Sequence, residues 1–290
     1  MTSGRAPFDR YRAAAARWVD RPVLALPLPI RAHRALFEAQ ARLNARAPAL
    51  DVRWETVAGV RCRVATPPRA ARRLLYLHGG GFVIGSPGAY AGLTDRLARM
   101  AGAEVVAPDY RLAPEHPFPA PVDDCVAVAR AMEGPFHLAG DSAGGALALA
   151  VLQDLCARGT PPLSVALISP AVDLDAGRPT PEDHDEMLLP ERFLRRCVAA
   201  YAGGADPADP RLSPIHGRYP GCPPVHVELS AREVLEGDGL AIAERLRAEG
   251  AEVAVARTGG VPHVFHLAAG RSPEAERGLR RIARALRAAG

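Results

Sequence analysis

Ser142 stands in Gly140-Asp141-Ser142-Ala143-Gly144-Gly145, a G-x-S-x-G arrangement between an apolar run at 136–139 and an Ala- and Leu-rich run at 146–155. A strand that turns sharply into a helix holds its turn residue in strained dihedrals, and glycine on either side keeps Cβ atoms out of the neighbouring strand and helix. The hydroxyl is then raised above the strand at a helix N-terminus, whose partial positive charge favours a developing anion. The chemistry that fits is nucleophilic attack by a serine on a carbonyl carbon. Five residues alone would also suit an ordinary glycine-rich turn capped by Ser, so the weight lies in the strand before and the helix after.

Attack on a carbonyl needs donors for the oxygen that becomes negative. His78-Gly79-Gly80-Gly81-Phe82 follows the apolar run 74–77, and consecutive glycines leave backbone N–H groups uncovered. Such donors must lie about 2.7–3.1 Å from the oxyanion, and losing one costs about 10²–10³ in rate. Gly80 and Gly81 are assigned this role, with Ala143 as the third donor. A base is needed too. His263 lies in Gly259-Gly260-Val261-Pro262-His263-Val264-Phe265-His266, beyond the apolar run 253–256. It is preferred over His266 because a general base must reach Ser142 from the loop before the next helix. His78 precedes the serine, whereas this type of elbow is followed by its acid and its histidine. Its expected role is structural, pinning the glycine loop.

These groups need a rigid frame. Residues 53–57 and 60–65 alternate apolar and polar side chains around Ala58-Gly59, the pattern of a hairpin. Apolar runs at 74–77, 104–107, 136–139, 165–168, 225–229 and 253–256 read as buried strands, and amphipathic stretches at 90–100, 122–132, 145–157 and 240–248 as helices between them. This alternation predicts an α/β fold, a mostly parallel sheet with helices on both faces. Two segments stand outside it. Residues 1–50 read as helical at 10–18 and 31–46, and about 175–219 is rich in Pro and Gly around a helix at 191–201. Ligands bind beyond the carboxyl ends of parallel strands, so both segments are expected to form a cap over a catalytic domain spanning 51–290. Trp18, Phe37, Phe82, Leu189, Phe193 and Leu194 are its candidates for lining an apolar pocket.

Composition excludes several function classes. The 290 residues carry 36 basic groups, all Arg, against 32 acidic ones, for a net charge of +4. The arginines are dispersed among Asp and Glu and aromatics are only 5% of the chain, which argues against nucleic-acid binding. Five scattered cysteines without C-x-x-C spacing fit neither a disulfide framework nor a zinc site, and point to a reducing, cytoplasmic setting. The apolar stretch 23–30 is short and broken by Pro27 and Pro29, well below the roughly 20 residues of a membrane span. Glu182-Asp183-His184-Asp185-Glu186 has the composition of a metal site but reads as a solvated loop. Asp123-Asp124 is expected to cap the following helix, and Asp141 to serve a local hydrogen-bonding or charge role.

The motifs together resemble the bacterial hormone-sensitive-lipase-like esterases of the α/β-hydrolase fold. The resemblance rests on HGGGF at 78–82, GDSAGG at 140–145 and Asp109-Tyr110-Arg111-Leu112-Ala113-Pro114-Glu115-His116-Pro117-Phe118-Pro119-Ala120 between them. It continues through Ser169-Pro170, DPRLSP at 209–214, Pro223-Pro224 and the His263 region, about residues 70–270 in all. It implies hydrolysis of carboxylic esters with short to medium acyl chains, no cofactor or metal, a small-molecule ester as partner, and a homodimer. It also implies an acid after the strand at 225–229, where the family usually has Asp-Pro-Leu. This chain reads Arg232-Glu233-Val234-Leu235, and alignment on Leu235 and Gly239 puts Glu233 at the acid position, with Glu236 and Asp238 as alternatives. A carboxylate there orients the imidazole and stabilises its protonated form. The same residues would serve a lactone, carbamate or amide hydrolase or an acyltransferase, and the same fold a small-ligand receptor.

Overall fold

The computed structural model describes residues 7–44, 48–175, 177 and 184–289. In chain order the helices are α1 (Pro7–Ala15), α2 (Arg21–Ala25), α3 (Ile30–Asn44), α4 (Ala91–Ala101), α5 (Ala120–Arg130), α6 (Ala143–Ala157), α7 (Glu191–Ala202), α8 (Glu236–Ala248) and α9 (Pro273–Ala288). The strands are β1 (Asp51–Val57), β2 (Val60–Thr66), β3 (Arg72–Leu77), β4 (Ala103–Pro108), β5 (Phe136–Asp141), β6 (Val165–Ile168), β7 (Val225–Ala231) and β8 (Val253–Gly259). They form one sheet of eight strands in the order β1-β2-β4-β3-β5-β6-β7-β8. β1, β2 and β4 pair antiparallel and every later pairing is parallel. The expected α/β-hydrolase sheet is thus observed.

The sheet is covered on both faces because its central strands are apolar on both sides. In β3 the side chains of Leu75 and Leu77 join the core under α5, α6 and α8, while those of Leu74 and Tyr76 join the core under α4 and α9. β5 is buried along its whole length. α6 is apolar nearly all round (Ala, Gly, Leu, Val), as a helix packed in the centre must be, and twelve of its residues are buried. α9 shows the opposite logic. Its buried Leu279, Ile282, Ala283 and Leu286 recur at helical spacing, its other face is rich in Arg, and Ser272 caps it by accepting from the Ala275 N–H at 3.0 Å. Each large apolar side chain so buried contributes about 1.5–3 kcal/mol.

The β1–β2 hairpin turns through Ala58 and Gly59, both at positive φ, as a two-residue loop demands. Apart from α2 and α9, which form helices in stretches given no expected element, differences from the expected boundaries lie at element ends. β8 runs to Gly259, because pairing with β7 continues through Ala231↔Gly259 even though Arg257 and Thr258 are polar. At the N-terminus the helical turns continue from Pro7 through a five-residue π-helical turn (Ala16–Asp20) into α2. The expected extension of α3 from Asn44 to residue 46 lies outside the described residues, as do Glu182 and Asp183.

Candidate active site

Strain marks the site. Six described residues other than glycine have positive φ, and five of them (Phe82, Ser142, Ser169, Arg232 and Val264) lie on the segments that follow β3, β5, β6, β7 and β8. Such conformations cost about 1–3 kcal/mol each and persist where the surroundings over-determine them. All five follow the carboxyl ends of parallel strands, where ligands of such sheets bind.

Ser142 sits between β5 and α6 with φ 53° and ψ −121°, half-buried. Its backbone is fully engaged: its N–H donates to Ile168 O at 2.8 Å, and its carbonyl accepts from Gly145 and Ala171. A Cβ on Gly144 would overlap the carbonyl oxygens of Leu77 and His78, so only glycine lets α6 start this close to β3. Ala143 opens α6, where N–H groups lack intrahelical partners. Among the described residues the amides of Gly80, Gly81 and Ala143 donate to no other group of the chain. The Gly80 carbonyl accepts from Val83 and Ile84, turning the loop.

The glycine loop is gripped from two sides. Below, His78 is buried and stacked on Tyr110 at 4.3 Å and 18°, and Tyr110 donates to the His78 carbonyl at 2.7 Å. His78 Nδ1 lies 2.8 Å from Gly79 O, an acceptor, so the proton sits on Nδ1. Burial pulls this imidazole down to about 4, which keeps it neutral. The expected structural role of His78 fits these contacts. Above, α7 leans on the loop: Gly81, at φ 61°, leaves 2.7 Å between a would-be Cβ and Cys197 Sγ, and Tyr201 stacks on Phe82 at 3.7 Å and 4°.

Past the end of β7 the chain turns through Arg232 and presents Glu233, which is 4% exposed. Glu233 Oε2 lies 2.5 Å from His263 Nδ1. Its other oxygen accepts from Ser169 Oγ at 2.6 Å and Ser230 N–H at 3.0 Å, which fixes the carboxylate beside the imidazole. Ser230 in turn donates to Val261 O at 2.5 Å, tying β7 to the histidine loop. Burial disfavours a charged His263, but Glu233, by charge and hydrogen bond, with Glu186 and Asp141 farther off, outweighs it and raises its pKa. His263 Nε2 is buried and makes no hydrogen bond among the described residues. Catalytic hydrogen bonds often tighten only with substrate in place.

The alternative acids are engaged elsewhere. Asp238 Oδ2 accepts from Val172 N–H at 2.9 Å, and Glu236 pairs with Arg257 at 2.6 Å while accepting from Arg232 N–H. His266, three residues past His263, is fully buried against Phe265 and Gly278, facing Glu228 at 3.7 Å. Glu186 corrects the reading of 182–186 as a solvated run. It is buried, accepts from Leu188 and Leu189 N–H through one oxygen, and accepts from Val234 N–H at 3.1 Å through the other. It therefore fastens the segment before α7 to the Glu233 loop. Asp124 is a second correction. It does not cap α5, whose first turn starts at Ala120; it binds Arg111 through several hydrogen bonds of 2.7–3.1 Å. Trp18 is a third, being 75% exposed. A small cavity of about 50 Å³ does lie against His263, walled by Asp9, Ala16, Leu188, Pro262 and Ser272. Asp9 and Ser272 hydrogen-bond across it.

Residues 74–267 match the α/β-hydrolase fold family. The chain is 41% identical over 204 residues to an acetyl-hydrolase of Streptomyces hygroscopicus, covering 67% of this chain and 68% of that protein. It is 34% identical over 236 residues to an ethyl acetate hydrolase of Pseudomonas putida, covering 76% and 74%. The crystal structure of an esterase from the bacterial hormone-sensitive lipase family superposes with a TM-score of 0.89 at 31% identity, over 99% of both chains. With a family match across most of its length and full-length structural agreement, the chain belongs to the α/β-hydrolase family, in its bacterial hormone-sensitive-lipase-like branch.

Proposed function

We propose that the chain is a serine carboxylesterase that cleaves small esters of short- to medium-chain acids through an acyl-enzyme. The reading rests on one observation above the others, the 2.5 Å contact of Glu233 with His263 Nδ1, which leaves Nε2 as the free base on the imidazole. The relatives' names support an ester as substrate, since one acts on ethyl acetate and another is an acetyl-hydrolase. In this scheme the Ser142 proton passes to His263 Nε2 as Oγ bonds to the carbonyl carbon, and the carbonyl electron pair moves onto oxygen. The N–H groups of Gly80, Gly81 and Ala143 receive that oxyanion. Collapse breaks the bond to the alcohol, which leaves with the proton from His263. Water then attacks the acyl-enzyme by the same route and releases the acid and free Ser142. Glu233 balances the imidazolium at both stages.

Residues 1–50 and about 175–219 act as the cap in this reading. Arg34 of α3 donates to Val83 O and Ala113 O beside the glycine loop, and Arg196 of α7 donates to Leu28 O, joining the two segments. The five cysteines are unpaired, which suits the cytoplasm, and no described helix is long and apolar enough to cross a membrane. The family resemblance supports a homodimer, which light scattering would report as twice the 30.7 kDa chain mass. The decisive experiment is reaction with a fluorophosphonate followed by peptide mass spectrometry, beside turnover of p-nitrophenyl esters of increasing acyl length. The adduct is expected on Ser142, with turnover greatest on the shorter chains. An adduct on another residue, or full turnover by Ser142→Ala, overturns the scheme.

A further inference from the structure

Asp141, immediately before Ser142, is fully buried, and the mechanism above makes no use of it. Its carboxylate accepts three hydrogen bonds: from Tyr76 Oη at 2.9 Å and Gly79 N–H at 3.0 Å on one oxygen, and from Tyr90 Oη at 3.1 Å on the other. The donors come from three places, the body of β3, the glycine loop and the residue preceding α4. A Cβ on Gly79 would overlap Asp141 Oδ2. The absence of a side chain at 79 therefore serves the approach of this carboxylate, not the exposure of an amide to substrate. A buried carboxylate is costly unless well supplied with donors, and a purely structural role could be filled by an apolar side chain of the same volume.

We infer that Asp141 is a positioning residue that binds the first glycine of the oxyanion loop to the strand end carrying the nucleophile, setting Gly80 and Gly81 at a fixed distance from Ser142. The inference rests on the assignment of Ser142 and the glycine amides proposed above. One carboxylate thereby joins two parts of the site that arise 62 residues apart in sequence and must agree to within about 0.5 Å. Its charge has a second effect. It favours a protonated His263, and His263 in turn favours an ionised Asp141. Burial holds Asp141 up at about 6 in spite of its donors. The titratable groups that face it are Tyr76 from β3, Tyr90 ahead of α4, Tyr110 from the loop after β4 and His263 from the loop after β8.

The test compares the full-length protein with Asp141→Asn, Asp141→Ala and Tyr90→Phe. It uses p-nitrophenyl acetate turnover, inhibition by a trifluoromethyl ketone that mimics the tetrahedral adduct, and fluorophosphonate labelling. Asn keeps one acceptor oxygen for Gly79 N–H, so kcat should fall about tenfold in Asp141→Asn and about 100-fold in Asp141→Ala, with KM within about threefold. Ketone affinity should weaken in parallel with kcat/KM, and the acid limb of the pH–rate profile should move to lower pH in Asp141→Asn. Tyr90→Phe leaves the Gly79 bond in place and should lose about twofold to fivefold in kcat, which keeps the test open if Asp141→Ala fails to fold. Thermal destabilisation with kcat, ketone affinity and pH limb unchanged would overturn the inference. Labelling away from Ser142 in the unmodified protein would instead overturn the underlying assignment.

Discussion

Two buried carboxylates on the same stretch of chain, Glu228 inside β7 and Glu233 just beyond it, each face a histidine of the loop after β8, yet only one pair is built to change its charge. Glu228 is 0% exposed and is held by Arg281 at 2.7 and 2.8 Å and by His226 at 2.8 Å. Burial alone would raise it, but His226, Arg281 and the nearby His266 outweigh burial and hold it well below the usual carboxylate range. His266 is lowered by its burial, with the Arg281 charge adding to the effect, so it stays neutral. Glu233 faces no guanidinium in its hydrogen bonds; its donors are Ser169, Ser230 and His263. Among the described residues, the only hydrogen-bond partner there that can carry a positive charge is the imidazole, whose pKa is raised. A carboxylate locked to an arginine has its electrostatics settled once the chain folds. One that meets a histidine stays available to balance a proton that comes and goes.

The sharpest way to break this contrast is to remove each histidine. His263→Ala should lower kcat/KM by about 10⁴–10⁶, as loss of a triad base does, whereas His266→Asn should stay within about tenfold and lower the melting temperature instead. Comparable losses in both would erase the distinction. Next in size is Glu233→Gln, expected to reduce kcat by about 10⁴. The sign of its pH effect follows from the competing influences on His263. Burial lowers the imidazole and the carboxylate raises it, so with the Glu233 charge gone the acid limb of kcat/KM moves to lower pH. In the unmodified protein that limb lies above the ordinary histidine value, because turnover needs the neutral base. Glu228→Gln should leave kcat within about tenfold while lowering stability by about 3 kcal/mol in chemical denaturation, the low end for a broken buried pair. Arg281, with 34% of its side chain exposed, keeps part of its hydration and so limits the loss. A carboxylate with a depressed pKa stabilises above its unfolded value of about 4.3 and loses that contribution as pH falls, so the unmodified protein should lose more stability than the variant between pH 5 and 2.

The elbow and the glycine loop were legible because backbone constraints write themselves into sequence locally. Gly144 and Gly81 are needed where backbone or Cys197 comes close, and the strands around them are continuous apolar runs. Glu233 was legible only through alignment with a family, since its hold on His263 joins positions 30 residues apart. A hydrogen-bonding role for Asp141 was readable, but its partners Tyr76 and Tyr90 were not, nor were the contacts of Ser169 with Glu233 and of Glu186 with Val234, because each joins residues far apart in the chain. Asp124 shows how a local rule fails: an acidic pair after a Pro-rich loop looks like a helix cap, but the Arg111 guanidinium, 13 residues back in the loop that leads into α5, competes for it. Trp18 shows another limit. An apolar face is readable from sequence, but whether the fold covers it is not, and here the ring faces outward.

The dihedrals of Ser142 carry a final consequence, one for selection. At φ 53° and ψ −121° a side chain is strained by about 1–3 kcal/mol that glycine would not bear, partly offset by the roughly 0.5–1 kcal/mol that glycine gives back through the unfolded chain. Ser142→Gly should therefore be inactive and yet more stable by about 1 kcal/mol in denaturant titration, while Ser142→Ala, which keeps a Cβ, gains nothing of the kind. A lineage released from the demand for turnover has a downhill path at this position, and the serine persists only in descendants that still use it.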